Sequence, residues 1–191
     1  MSASLRLASI GCGAALLAAP ALARADRHAS SGIFTEAGLG ATGFLGAANR
    51  DAAIGPLLSL RMGYDLFPWA SVGVQLGASS HEATVPPPPE GEWFQLYRGA
   101  ADGRLGFRAD ELAFFAEGSL GLAYISSNIL EKVMVTDPGE RFSVFFQAGG
   151  GLEYQIENRH YAFGLAADWL LIPEFAALTG VEGRAYLRYT Y

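Results

Sequence analysis

From Gly32 to Tyr191, apolar and aromatic side chains recur at alternate positions, with Gly, Ser, Gln or charged residues between them. A period of two belongs to a strand whose two faces meet different surroundings; helical spacing would mix the two sets. In the first segment, Gly32 to Thr42, one face reads Ile33, Thr35, Ala37, Leu39, Ala41 and the other Phe34, Glu36, Gly38, Gly40, Thr42. The same alternation predicts seven further strands: Leu57 to Leu66, Trp69 to Ser79, Phe94 to Phe107, Ala113 to Ile125, Phe142 to Ile156, Tyr161 to Leu171 and Leu178 to Tyr191.

The connections alternate in length. Short turns fall at Phe67-Pro68, at Arg108 to Glu111 and at Glu157 to His160. Longer connections fall at Gly43 to Pro56, Ser80 to Trp93, Ser127 to Arg141 and, less clearly, Ile172 to Ala177. An even number of strands in up-and-down order, with both chain ends on the short-turn side, follows from this rhythm.

Which face points inward is the next question. A soluble antiparallel barrel hides its apolar face and shows its polar face to water. Here the polar face is rich in glycine and in charges of both signs, whereas the other face carries the bulky aromatics. An inverted barrel reconciles the two: lipid meets the apolar face, and the glycines leave room for a narrow charged interior. The predicted fold is therefore an all-β, eight-stranded antiparallel transmembrane barrel. Its expected lumen network is Glu36, Arg61, Asp65, Arg98, Asp102, Arg104, Glu117, Glu153, Asp168, Glu182, Arg184 and Arg188. Such charges are costly unless paired or hydrated, so Glu36 is expected near Arg188 or Arg61, and Arg104 near Glu117 or Glu153. Aromatics near the strand ends suggest two interfacial girdles. Tyr64, Trp69, Phe107, Phe114, Tyr154, Tyr161 and Tyr189 fall on the short-turn side, and Tyr97, Tyr124, Phe142 and Trp169 on the other.

Composition adds limits. Arg6, the apolar run Ala8 to Leu22 and the small residues Ala21, Ala23 and Ala25 have the order of a cleavable export signal. Residues 1–25 are read as that signal and 26–191 as the barrel domain, with cleavage after Ala23 also fitting. Cys12 is the only cysteine, so no internal disulfide forms. Gly11 precedes it, but Ser9 replaces the usual Leu of a lipidation motif and the apolar run continues past it. Removing Arg6 and Arg24 from the 13 basic residues leaves 11 against 19 acidic ones, a formal charge of -8. An acidic chain without a Lys/Arg cluster is a poor nucleic-acid binder.

The segment Gly183 to Tyr191 carries the most specific pattern, with Leu187, Tyr189 and Tyr191 on one face and an aromatic at its end. It looks like the C-terminal signal by which outer-membrane barrels are recognised for insertion. With the export signal and the strand pattern, the chain resembles the small eight-stranded barrels of the OmpA-like, OmpX-like and OmpW-like type. That resemblance implies residence in the outer membrane of a Gram-negative bacterium, contact with its lipid and lipopolysaccharide, recognition by the barrel-insertion machinery and a monomeric state.

No constellation of catalytic or cofactor-binding residues stands out. Gly38, Gly40 and Gly43 match a dinucleotide fingerprint in spacing, but a helix should follow and Phe44 to Asn49 reads as loop. Small outer-membrane acyltransferases and deacylases pair a His with a Ser. Ser79, Ser80, His81 and Glu82 are candidates, yet adjacent residues on a strand end point in alternating directions, and a solvated loop is the better reading. His28 lies near the mature N-terminus and His160 at a short turn. Pro86 to Pro89 predict a stiff spacer. The acidic loop residues Glu82, Glu90, Glu92, Glu131, Asp137 and Glu140 either bridge cations to lipopolysaccharide phosphates or keep the loops soluble. Ile129, Leu130, Val133, Met134 and Val135 make the third long loop apolar, and it is the first choice for a contact surface. The expected function is a non-enzymatic structural or interaction role, without cofactor or metal, with a filled polar lumen and a loop-binding protein partner. A narrow channel for small or apolar solutes is the alternative, and a lipid-modifying enzyme the third.

Overall fold

A computed structural model describes residues 31–46, 52–83, 93–126, 141–156, 160–175 and 178–191. Eight strands form one closed antiparallel barrel in chain order. They are β1 (Ile33–Phe44), β2 (Gly55–Phe67), β3 (Ala70–Glu82), β4 (Trp93–Ala109), β5 (Leu112–Ile125), β6 (Phe142–Gln155), β7 (Tyr161–Ile172) and β8 (Leu178–Thr190). β8 closes on β1 from Phe34↔Thr190 to Phe44↔Gly180, so no strand is left with an unpaired edge. The start of β1 and the end of the chain meet at the short-turn end, where the Tyr191 amide donates to the Ile33 carbonyl at 2.9 Å.

The expected faces are the observed ones. In β1, Ile33, Ala37, Leu39 and Ala41 are exposed, while Phe34, Glu36, Gly38 and Thr42 are buried. In β7, Phe163, Leu165, Ala167 and Trp169 point out, and Ala162, Gly164, Ala166 and Asp168 point in. This fits the glycines on the inner face: a Cβ on Gly164 would run into the ring of Tyr186, its cross-strand partner.

Strand ends differ from the expectation in informative places. β1 runs on to Phe44, which is buried, where a loop was expected. β3 continues to Glu82 because its pairing with β4 persists through His81↔Phe94 and Glu82↔Trp93. His81 is therefore a strand residue and fully buried, not part of a solvated connection. Polar residues such as Ser79, Ser80 and His81 look loop-like in sequence, but the partner strand extends and satisfies their backbone groups. At the turn between β4 and β5, Asp110 adopts a left-handed φ of 55°, a conformation that Asp and Asn tolerate better than most residues.

The outward aromatics gather at two levels. At the short-turn end Phe67 stacks on Trp69 (5.1 Å between centroids), Phe107 on Phe114 (5.4 Å), and Tyr189 contacts Tyr161 (4.8 Å) and Tyr191 (4.9 Å). At the long-loop end Tyr124 meets Tyr97 (6.3 Å) and Phe142 (4.7 Å). Between these levels the exposed side chains include Leu60, Val74, Leu120, Leu122, Leu165 and Leu187.

Candidate functional site

Antiparallel pairing puts every second side chain inside, and all twelve charged residues expected in the lumen face it. Six arginines meet seven carboxylates there once Arg108 at the short-turn end is included. At that end Arg188 Nη2 donates to both oxygens of Asp65 (2.6 and 2.7 Å), and Arg108 Nη2 to Glu153 Oε1 at 3.0 Å. One layer deeper sits Arg104. Its guanidinium reaches Glu117 at 3.0 Å, Glu36 at 3.3 Å and Glu153 at 3.4 Å, and donates to the Tyr186 hydroxyl at 3.3 Å. Its carbon lies 3.9 Å from the Phe115 centroid, so a planar cation is held by acids at its edge and a ring on its face. Tyr186 in turn donates to Glu153 at 3.2 Å.

Both pairings expected for Arg104, with Glu117 and with Glu153, are present in the geometry. Of the two alternatives for Glu36, Arg61 is the partner, at 3.7 Å. Arg188 lies directly across the ladder from Glu36 but turns to Asp65 and stacks on Phe34, 3.8 Å from its centroid. Arg61 also pairs with Asp102, and Arg184 bridges Asp168 and Glu117. Arg98 pairs with Glu182 at 2.7 Å. Gln75 spans the lumen nearby, donating to Ser119 at 2.7 Å and to Gln147 at 3.1 Å. Tyr186, Gln75, Ser119 and Gln147 were not singled out from sequence, although parity with their charged neighbours puts them on the same face.

Towards the long loops the interior changes character: the polar lumen expected from sequence gives way to an apolar layer. Phe44, Phe94, Leu96, Ile125, Phe145, Leu170, Ile172, Phe175 and Leu178 form one buried apolar cluster with Ala52, Ala83, Ala100 and Ala123. The sequence signal was there: where Phe145-Phe146 and Leu170-Leu171-Ile172 break the alternation, both faces are apolar. Phe175 reaches the cluster from the connection between β7 and β8 and has no exposed surface. His81 lies among these residues, its ring 4.7 Å from that of Phe44 and 5.3 Å from that of Phe94. Its Nδ1 is 3.0 Å from the Ala53 carbonyl and its Nε2 is 2.9 Å from Ser79 Oγ. A carbonyl only accepts, so Nδ1 carries the hydrogen and the Ser79 hydroxyl donates to Nε2.

Among the described residues, cavities in the lumen include one of about 80 Å³ that opens at the short-turn end beside Asp65, Arg108 and Glu153, and one of about 10 Å³ between Arg98 and Phe145. The second is about the space that a single water needs.

The three residues read as an insertion signal lie on the outer face of the β8 segment: Leu187 and Tyr191 are exposed and Tyr189 is half-buried among aromatics. Among the described residues no group of His, Cys, Asp and Glu is arranged to hold a metal. The export segment, His28, the Pro86 to Pro89 spacer, the apolar third loop and the acidic residues Glu90, Glu92, Glu131, Asp137 and Glu140 lie outside the described residues.

No protein-family model matches the sequence, and no curated protein matches it. The fold does match solved structures. Neisserial surface protein A superposes with a TM-score of 0.62 at 15% identity, over 86% of this chain and 100% of that one. Ail, the attachment invasion locus protein of Yersinia pestis, solved with the heparin analogue sucrose octasulfate, gives 0.54 at 12% identity, over 84% and 99%. The chain thus has the fold of small eight-stranded outer-membrane barrels.

Proposed function

We propose that this chain is a non-enzymatic barrel of the outer membrane of a Gram-negative bacterium that stabilises the membrane or presents its long loops to a partner. The observation that carries this reading is the interior itself, occupied by an ion-pair network below and an apolar plug above, with a cavity of only about 10 Å³ between Arg98 and Phe145. A solute path needs continuous water, and an ion-pair layer in series with an apolar layer disfavours it. The planar-bilayer experiment tests this directly: the purified protein should insert without steady unitary currents, and reproducible unitary conductance would overturn the occupied lumen.

The membrane reading rests on the outer surface. A broad apolar band between two aromatic levels is unstable in water and matches the hydrocarbon and interfacial zones of a bilayer. Residues 1–25 supply export, and Leu187, Tyr189 and Tyr191 the contact with the barrel-insertion machinery. Lipid and lipopolysaccharide are the surroundings, and the closed sheet requires no second subunit.

The hydrogen bond between Ser79 and His81 invites an enzymatic reading, which we set aside in favour of a structural role. Both side chains point into the barrel, His81 is fully buried against Phe44 and Phe94, and the lipid that such an enzyme would modify lies on the opposite face of the strand.

A further inference from the structure

His81 is the one titratable side chain among the described residues of the apolar mouth, and it holds a segment from a different connection. Its Nδ1 donates to the Ala53 carbonyl at 3.0 Å. The Ala53 amide donates to the Glu82 carbonyl at 3.0 Å, and Ala52 pairs with Ala83 in an isolated bridge. Residues 52–54, at the end of the first long connection, are thus tied to the last residues of β3. Gly55 permits the approach, since a Cβ there would collide with the Ser80 carbonyl and crowd His81 Nδ1.

We propose that His81 is an acid-sensitive latch: neutral, it holds residues 52–54 over the apolar mouth, and protonated, it lets that segment leave and the mouth open. The hydrogen bonds alone would survive protonation, because the Ser79 hydroxyl can reverse and accept from Nε2. What changes is the charge. An imidazolium would be buried against two phenyl rings, whose attraction for a cation offsets only part of the lost hydration. The charged groups that face it are Arg98 from β4 and Glu182 from β8, and these are committed to each other at 2.7 Å. Phe44 on β1 and Gly55 on β2 bring no charge, and Glu82 on its own strand points to the outer face. With Glu182 committed to Arg98 and Glu82 turned to the outer face, the imidazolium gains most by reaching water, and the weakest element in its way is the short segment it holds. Histidine is the side chain whose ordinary titration range makes this a mild-acid response.

The test is amide hydrogen exchange on the whole mature barrel refolded in lipid nanodiscs. From about pH 7.5 to about pH 5, the protection factor of the Ala53 amide should fall by at least about tenfold. That of Gly106, which donates to Trp69 at 2.8 Å at the opposite end, should stay within about twofold. His81→Phe removes the titrating group and keeps an apolar ring, and should abolish the response; His81→Gln carries the same comparison if the Phe variant does not fold. Unchanged Ala53 protection in the unmodified protein, or a fall that persists in the variant, would overturn the proposal.

Discussion

Arg104 concentrates much of the lumen's chemistry in one side chain. Acids from β1, β5 and β6 converge on a guanidinium from β4, and removing the cation takes one partner from each, leaving Arg61, Arg184 and Arg108 to hold three buried acids between them. Breaking a buried pair from one side costs about 3–5 kcal/mol, so Arg104→Met should lower the unfolding free energy by about that much in a urea titration in lipid vesicles. Lysine would not substitute well, since its point charge cannot engage acids at several edges of a plane or stack on Phe115. Gly164 tests the same network through shape. Its missing side chain is the seat of the Tyr186 ring, which bonds Glu153 and Arg104. Gly164→Ala should destabilise by about 1–3 kcal/mol through overpacking, with a changed Tyr186 environment in near-ultraviolet circular dichroism as the local readout. The inward direction of Arg104 and Gly164 was legible from parity alone. Which acid each arginine takes was not, because parity fixes a face while the choice of partner depends on distance across the lumen. Arg188 illustrates the difference: it is the ladder neighbour of Glu36 and bonds Asp65 instead.

At the scale of the strand, the alternation located all eight elements, and most bounds lie within a few residues of the observed ones. β3 and β1 were cut short. Their last residues carry the pattern of a loop or of a two-sided apolar segment, and they stay in the sheet only because β4 and β8 extend beside them. The same alternation separates two kinds of substitution on β5. Leu120 is outward, midway between Phe114 and Tyr124, with 54% of its surface exposed. Leu120→Arg should cost about 2–4 kcal/mol if that face meets the middle of a bilayer. Urea titration in vesicles would read this cost, and a negligible change would argue that the face is not in hydrocarbon. Next to it Ser119 faces the lumen and bonds Gln75, so two adjacent positions report on two different solvents.

For the whole molecule, closure is the deciding property. Pairing β8 with β1 leaves each strand with two neighbours, and opening the barrel in lipid would strand backbone groups where no water can satisfy them. The intact barrel should therefore resist detergent and migrate differently on gels before and after boiling, whereas solubility in buffer without detergent would sink the membrane reading. Sequence by itself determined the strand count, the up-and-down order, the two faces and most of the charged residues inside, because a period of two is a local property that each segment carries alone. Tertiary structure decided which charges pair, that Phe175 and Phe44 help to plug the mouth, and that His81 is buried rather than solvated. Those outcomes depend on the register between strands and on side chains meeting across a closed interior, and no single segment encodes either.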